Sequence, residues 1–520
     1  MADDHRCDRH PYGKCCGGPL SPLPYNMVNI TETPPPETQP YSIWSPRTWE
    51  YKWVVATVFV LGLFMDILDT TIVNVAIPTL AREFKVTANG IEWVVTGYLL
   101  SLAVFIPASG WIGDRFGTKR TFLFALTVFT LSSALCATAW SVGSLTAFRV
   151  IQGVGGGMLT PVGTAMLFRA FPPRERAAAS TVLTIPTVLA PAMGPVLGGF
   201  LVTKISWHWI FLVNIPIGVI GLVFGAVFLR EHREGSTKRF DAPGFVLSGA
   251  GLALVLLALS EGPRLGWRST TVVASAIFGV ASFALLVRRE LRIPNPILDL
   301  RLLGNRLFRA TSLASFMSSG GLIGLLFLLP IFLQSLRGLS ALQSGLTTFP
   351  QAFGVIIASR FVGRMYQRVG PRRLLAVGLG GIAAATALFL LVDLHTSLWW
   401  IRLIMFVRGL FFACSIISLQ AASFATISPA DTGRASSLYS TVRQVGSAFG
   451  VAILATVLST RTNTRVTAVA RAGTNAIRSA RVSAFHDAFL AGIVIALLGM
   501  LCALTIRDAD AAASMTARPG

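Results

Sequence analysis

Blocks of about 20 apolar residues alternate with short polar stretches along most of the chain. A run of ~18 or more apolar residues is a candidate transmembrane helix, and lipid requires each segment to satisfy its own backbone polar groups. The pattern predicts fourteen membrane-spanning segments. They are expected to be α-helices, because the ~10-residue alternating strands of a barrel are absent. The predicted helices lie near residues 52–79, 92–113, 119–140, 144–168, 178–203, 209–229, 243–260, 270–288, 310–335, 343–363, 374–393, 398–425, 435–459 and 484–506.

Composition agrees with a membrane protein. Of 520 residues, 53% are hydrophobic and only 13% are charged, whereas a soluble domain carries about 25% charge. The N-terminal stretch contains "TETPPPETQP" and has no apolar signal-peptide region, so it is predicted to be disordered. The first helix is therefore expected to act as the insertion signal.

The formal net charge of +21 suggests membrane topology rather than nucleic-acid binding. Loops after even-numbered predicted helices hold about 21 Lys and Arg, against about 11 after odd-numbered ones, which is the positive-inside pattern. Both termini are therefore expected in the cytoplasm. The Arg-rich stretch 460–483 is an exception, because it is expected to be a loop on the outer side.

The six cysteines indicate no metal site. Three fall in predicted helices, where they are interpreted as packing residues: Cys136, Cys414 and Cys502. Three lie in the N-terminal tail near two histidines, and their spacing matches no zinc pattern: Cys7, Cys15 and Cys16, with His5 and His10.

Two polar motifs recur at one fixed spacing. "GWIGDRFGTKR" (110–120) follows the second predicted helix, and "GRMYQRVGPRR" (363–373) follows the tenth, 253 residues later. Arg149 and Arg402 share that spacing, although Gln152 and its following glycine match Arg408 and its following glycine better beyond a short gap. Helices 1–6 and 9–14 are therefore predicted to be parallel repeats, a design that transporters use for alternating access.

The predicted fold class is an all-α integral membrane protein of two pseudo-symmetric six-helix bundles with two inserted helices. The expected parts are a cytoplasmic tail (1–48), the first bundle (49–231), two linker helices (232–300), the second bundle (301–508) and a second tail (509–520). No HExxH, GxSxG or P-loop motif is present, and no long soluble domain interrupts the helices. An enzyme or a membrane sensor is therefore disfavoured.

Several motifs together resemble the fourteen-helix drug:proton antiporter branch of the major facilitator superfamily. They are "LDTTIVNVAIP" (68–78), "GWIGDRFGTKR" (110–120), "RVIQGVGGG" (149–157), "APAMGPVLGGFL" (190–201) and "WHWIFLVNIPIG" (207–218). Two positions depart from the pattern: Ala190 replaces the usual Gly of the antiporter motif, and Gln367 replaces an acid in the second loop motif.

This resemblance implies the major facilitator fold and proton-coupled efflux of amphipathic drugs or similar small molecules across the plasma membrane. It implies a monomer whose partners are small-molecule substrate, protons and lipid, with no cofactor beyond the proton gradient and no nucleic acid. The alternative is the same fold exporting a dedicated metabolite, siderophore or lipid.

The loop after the second helix is predicted to form a cytoplasmic gate. Gly117 permits a tight turn, and Asp114 lies at the negative end of a helix dipole, so it needs a cation from the same loop or from a neighbouring helix. The alternative is that these charges only set topology. The gate candidates are Gly110, Asp114, Arg115, Gly117, Lys119 and Arg120.

Helix 5 has an unusual density of Pro and Gly. Prolines remove backbone donors and bend helices, and glycines four residues apart allow close helix approach. By resemblance, the bend helps to keep the pathway from leaking. The antiporter-motif residues are Pro191, Gly194, Pro195, Gly198 and Gly199.

Arg149 is predicted near the middle of the membrane, where an arginine costs on the order of 3 kcal/mol. It is expected to face the bundle with Gln152 and to pair with a carboxylate, a carbonyl or water, unless it snorkels outward. Similar candidates in the second half are Arg402, Arg408 and Arg443.

Asp66 and Asp69 are three residues apart on an apolar helix, so they lie ~60° apart on one face, which Asn74 continues. Burial and a neighbouring carboxylate both favour the protonated form of an acid. We expect Asp69 to serve in proton coupling or substrate binding, because it matches the branch motif. Asp66 is either a second proton site, a binder of cationic drugs or a solvated pore residue.

Overall fold

Fourteen helical spans follow one another in the computed structural model, which describes residues 50–86, 88–233, 239–469 and 473–515. They are α1 (Tyr51–Glu83), α2 (Ala88–Phe116), α3 (Thr118–Ala137), α4 (Val142–Ala170), α5 (Arg176–Lys204), α6 (Trp209–Phe228), α7 (Ala242–Leu265), α8 (Thr270–Glu290), α9 (Arg306–Leu336), α10 (Ala341–Thr348 and Pro350–Val369), α11 (Pro371–Leu391), α12 (Leu398–Ser423), α13 (Thr432–Ala468) and α14 (Thr474–Leu504). The predicted all-α class and the count of fourteen are confirmed.

Thirteen of these spans are long and apolar enough to cross a membrane. The remaining one, α10, is interrupted at Phe349, and Pro350 begins its second segment. Proline suits the first position of a helix, where its missing N–H is not needed. The helix predicted near 343–363 is present, but it is divided into two segments because this proline begins the second one.

The two last spans are much longer than predicted. The expected loop over 460–483 is wrong, since α13 continues to Ala468 and α14 begins at Thr474. Asp487 accepts two-pronged hydrogen bonds from Arg465 at 2.7 to 3.1 Å, and Arg461 lies 3.6 Å away. This acid offsets part of the charge that made the segment appear polar and loop-like in the sequence.

Short polar residues begin several helices. Ser141 and Ser144 form a reciprocal capping box at α4, and Ser340 and Gln343 form another at α10. Asn305 accepts the Phe308 amide at the start of α9, at 3.1 Å. Such caps satisfy helix-end donors where the chain leaves each turn.

Corresponding helices of the predicted repeats pack in the same pairs. The α1 helix packs on α5 as α9 does on α13, and α2 packs on α4 as α10 does on α12. The inserted α7 and α8 pack on each other, and α7 also packs on α2. The boundaries proposed for the two bundles and the linker stay predictions.

Part of the predicted C-terminal tail is folded. Residues Asp508–Ser514 form a 3₁₀ helix, and the Ser514 hydroxyl lies 2.8 Å from the Tyr366 hydroxyl of α10. The predicted N-terminal tail, with its three cysteines, lies outside the described residues.

Candidate functional site

Asp69 forms the centre of a buried polar cluster in the first half. Its carboxylate accepts hydrogen bonds from Arg149 at 2.5 Å, Gln152 at 3.1 Å and Asn214 at 2.9 Å. Both Asp69 and Arg149 are 0% exposed. The cluster therefore joins α1, α4 and α6 through one ion pair whose acid has no direct access to solvent.

Arg149 is enclosed on every side. Its guanidinium carbon lies 4.1 Å from the centre of the Tyr98 ring, and its Nη1 also donates to Gln152 at 2.6 Å. Its Nε donates to the Val94 carbonyl at 3.4 Å. The expected pairing with a carboxylate is present, and the outward-snorkelling alternative does not match this geometry.

Asp66 lies one turn away and has a different environment. The Tyr98 hydroxyl donates to its carboxylate at 2.5 Å, and no Lys or Arg of the described residues forms an ion pair with it. Its side chain is 8% exposed. The two acids therefore share a helix face, as the spacing predicts, but only Asp69 is neutralised by a bound cation.

The other polar groups of α1 do not join the cluster. Thr70 and Thr71 donate to backbone carbonyls one turn earlier on the same helix. Asn74 is exposed and takes no part in the hydrogen bonds around Asp69. The predicted continuation of the acidic face through Asn74 is therefore not part of this site.

Sequence reasoning missed three members of the site. Asn214 donates to Asp69 and, at 3.0 Å, to Ser133 of α3, while Tyr98 of α2 serves both Asp66 and Arg149. Asn214 stands within the quoted stretch 207–218 and is the one amide in it. A single amide side chain in an apolar stretch was the sequence signal that could have indicated Asn214 as a site residue.

The gate motif is linked to two distant segments. Asp114 accepts a hydrogen bond from Arg169 at the end of α4, at 3.2 Å, and Arg169 also donates to the Pro429 carbonyl at 3.1 Å. Gly110 faces Gly433, where an added Cβ would lie 3.0 Å from the Gly433 carbonyl oxygen. A neighbouring helix, one of the two expected sources, supplies a cation to Asp114.

Other residues of the motif contact the segment that follows α6. The Lys119 and Arg120 amides donate to the Glu231 carboxylate at 3.1 and 3.2 Å, and Lys119 Nζ donates to the Ala226 carbonyl. Gly117 has a φ of 97° and faces Glu231 closely. Arg115 provides its carbonyl to Arg233 at 3.1 Å. An acid at the start of α3 complements the positive end of its dipole.

The antiporter motif lies between the halves of the molecule. Gly194 and Gly198 of α5 pack directly against Thr71 and Ile72 of α1. On the other side of α5, Pro195 lies against Gly345 of α10. A Cβ added to Gly345 would be 2.9 Å from the Pro195 Cβ. Pro191 lies within α5, which remains helical, and Gly199 has open space around it.

The second-half candidates occupy three different environments. Arg408 is 1% exposed and donates to Gln351 at 2.9 Å and to the Gly321 carbonyl at 3.4 Å. Arg402 is half-buried, with its guanidinium carbon 4.6 Å from the centre of the Trp399 ring. Arg443 is half-buried on α13, close enough to Asp66 for electrostatic attraction.

The two halves pack against each other at the end that carries residues 110–120, here named the motif end. One apolar cluster there contains residues of both halves, including Phe168 and Phe424, whose rings stack at 4.4 Å. At the opposite end, Phe211 belongs to a cluster of first-half residues and Phe489 to a separate cluster of second-half residues. The described chain is therefore closed at the motif end.

Comparison with known proteins agrees with this architecture. The model of the Major Facilitator Superfamily matches residues 59–451. The "Multidrug resistance protein B homolog" of Mycobacterium tuberculosis is 37% identical over 78% of this chain and 76% of its own. The "Putative multidrug resistance protein MdtD" of Serratia proteamaculans is 32% identical over 90% of this chain and 96% of its own.

Solved structures show the same fold at low identity. The human organic anion transporter MFSD10 is 19% identical with a TM-score of 0.61, covering 87% of this chain and 99% of its own. The proton:xylose symporter XylE is 15% identical with a TM-score of 0.59, covering 86% of this chain and 95% of its own. With its buried ion pair, its membrane helices and these relatives, the chain is a multi-pass membrane transporter, not an enzyme, and belongs to the Major Facilitator Superfamily.

Proposed function

We propose that this transporter exports amphipathic small molecules, including cationic drugs, in exchange for protons. The relatives named for multidrug resistance support drug efflux as the activity. The observation that carries proton exchange is Asp66, a nearly buried carboxylate that has a hydroxyl partner but forms no ion pair with any cation of the described residues. An acid in that setting binds a proton readily, because burial disfavours its charged form.

The geometry gives the two acids different roles in this proposal. Asp69 accepts hydrogen bonds from Arg149, Gln152 and Asn214 and so joins α1 to α4 and α6. Asp66 exchanges its proton for the positive end of a cationic substrate. A bound proton and a bound cation each neutralise the same carboxylate, so one displaces the other.

Alternating access follows from the contacts between the halves. In this proposal, substrate and protons reach Asp66 from the opposite end while the motif end is closed. Opening the motif end requires Arg169 of the first half to release the Pro429 carbonyl of the second half, and Asp114 holds Arg169 beside that contact. We further propose that the protein works as a monomer in the plasma membrane, with both termini in the cytoplasm and no cofactor beyond the proton gradient.

The test uses purified protein in proteoliposomes that contain a pH-sensitive dye and carry an imposed pH gradient. Adding ethidium should release protons in the wild type, and Asp66→Asn should abolish that release. Glu83→Gln is the matched control, because Glu83 is an exposed carboxylate at the end of the same helix. It should behave as the wild type.

Two results would contradict the proposal. If no drug in a panel collapses the gradient, drug antiport is wrong and a dedicated metabolite, siderophore or lipid becomes the better cargo. If Asp66→Asn exchanges protons normally, Asp66 is not the coupling site.

A further inference from the structure

We propose that the 3₁₀ helix Asp508–Ser514, here named the strap, holds the motif end closed and that its release is a step in opening. The strap follows α14 of the second half and packs against the loop Pro173–Glu175 of the first half. This inference goes beyond the proposed function, because it needs neither protons nor a particular substrate. It depends on the contacts, burial and unpaired charges at the seam between the halves.

The strap is packed as firmly as the protein interior. Ala511 and Ser514 are fully buried, and Ala511 belongs to an apolar cluster that also contains Tyr366 of α10. The Ser514 hydroxyl donates its one hydrogen to the Ala511 carbonyl at 2.7 Å, so the Tyr366 hydroxyl donates to Ser514 at 2.8 Å. A buried hydroxyl that loses its partner raises the free energy of the protein, so this bond opposes detachment of the strap.

The strap contacts both halves at once. Within its own half it packs against α11 and α12, and its first residue accepts the Arg372 amide at 2.9 Å. Across the seam it packs against Pro173–Glu175, which connects α4 to α5. The same loop is held by Gln367 of α10, which donates to the Arg174 carbonyl at 2.9 Å. Separation of the halves at the motif end therefore requires the strap to part from this loop.

A buried charge at the seam works against closure. Arg176, the first residue of α5, is 5% exposed, and its Nε and Nη1 have no hydrogen-bond partner among the described residues. It lies close enough to Tyr366 of the second half for electrostatic interaction, and the adjacent Ala177 belongs to the same apolar cluster as the strap. An incompletely paired buried guanidinium is costly, and opening would return it to water. The closed state thus carries a penalty that the strap helps to offset.

The strap carries a second group of this kind. Asp510 Oδ2 is buried and has no hydrogen-bond partner in the part of the chain that the structure describes. Detachment would let water reach this oxygen as well as Arg176. The closed contact is therefore balanced between a buried hydroxyl bond that favours it and two charges that oppose it, which is what a reversible strap requires.

The experiment follows opening through a buried reporter on the other side of the seam. Ser436 of α13 is fully buried and donates to the Pro161 carbonyl of α4 at 2.7 Å. In purified full-length protein that lacks the six native cysteines, Ser436→Cys should react slowly with a maleimide. Its rate reports how often the motif end opens.

Loss of the strap bond should raise that rate. Ser514→Ala and Tyr366→Phe should each increase it about fivefold, because each removes the same buried hydrogen bond. Since the two changes act on one bond, the double variant should react no faster than the faster single variant. Ser459→Ala is the matched control, because its hydroxyl donates only within α13, to Thr456, and it should leave the rate unchanged.

Arg176→Met should shift the rate in the opposite direction. It removes the unpaired charge from the closed seam, so the reporter should react at least twofold more slowly than in the parent. A change that merely loosened the fold could only accelerate the reaction.

A second reporter separates opening from general loosening. Cys136 is fully buried within an apolar cluster of the first half, so separation of the halves does not expose it. With Cys136 as the one remaining cysteine, Ser514→Ala should leave its reaction rate unchanged.

Three results would overturn the inference. They are an unchanged Ser436→Cys rate in both Ser514→Ala and Tyr366→Phe, an equal acceleration of Cys136 by Ser514→Ala, and a faster Ser436→Cys reaction in Arg176→Met. No proton gradient or substrate enters these measurements, so the inference and the proposed function can fail separately.

Discussion

At the scale of residues, two aspartates one turn apart differ because their partners differ. The three-residue spacing was enough to predict that Asp66 and Asp69 share a face. It could not show that Asn214, 145 residues from Asp69 in the chain, also donates a hydrogen bond to the Asp69 carboxylate. Sequence favoured Asp69 for proton exchange, whereas the contacts favour Asp66.

The Asp69–Arg149 pair gives a stability prediction. Asp69→Asn should leave the Arg149 guanidinium buried and unpaired, and breaking such a pair costs about 3–5 kcal/mol. We expect a clear drop in melting temperature in detergent. Combining Asp69→Asn with Arg149→Gln should recover most of that loss, because no charge remains buried.

The melting temperature of the double variant decides this prediction. If the double variant melts no higher than Asp69→Asn alone, then Arg149 is not the source of the instability. Asp66→Asn is a useful comparison, since it breaks no ion pair and should cost less stability.

At the scale of elements, the same type of helix cap occurs in both halves. Gly117 and Gly370 have φ values of 97° and 90°, and each precedes a helix capped by an acid from the end of its own half. Glu231 caps α3, and Asp508 caps α11 through the Arg372 amide at 2.9 Å. The glycine turns were visible in the sequence, but acids more than 100 residues away had no motif to reveal them.

The glycines of α5 allow a matched test of helix contact. Gly194→Val should destabilise the protein by about 1–3 kcal/mol, because the new side chain would overlap Thr71 and overpack the interface. Gly199→Val has open space around it and should melt near the wild type. Thermal unfolding of both variants checks the pair, and equal melting temperatures would contradict the role of the Gly194–Thr71 contact, since valine is a better helix former than glycine at either position.

At the scale of the whole molecule, one apolar cluster joins the two halves at the motif end, whereas the apolar clusters of Phe211 and Phe489 at the opposite end belong to one half each. The apolar periodicity was sufficient to predict fourteen helices, because a bilayer imposes both length and hydrophobicity on every span. It could not predict which end is closed, since Phe168 and Phe424 meet only through the arrangement of whole bundles. The break in α10 was also missed, although Pro350 was its signal.

Closure can be followed through Ser437, which is buried in the motif-end interface and donates to the Ile106 carbonyl at 2.7 Å. In a variant lacking the six native cysteines, Ser437→Cys should react slowly with a maleimide. Adding Asp114→Asn should raise the rate several-fold, because it weakens the link to Arg169. Adding Glu83→Gln should not. Equal rates in all three proteins would argue against the latch.

The long α13–α14 pair has a practical consequence. With 37 residues and a rise of 1.5 Å per residue, α13 is about 55 Å long, well beyond the ~30 Å hydrocarbon core. The excess lies at the end away from the motif, where Arg465 and Asp487 tie the two helices together. These paired helix ends offer an epitope on a 55.7 kDa protein. An antibody fragment bound there would give particle images a reference point while leaving the motif-end interface untouched.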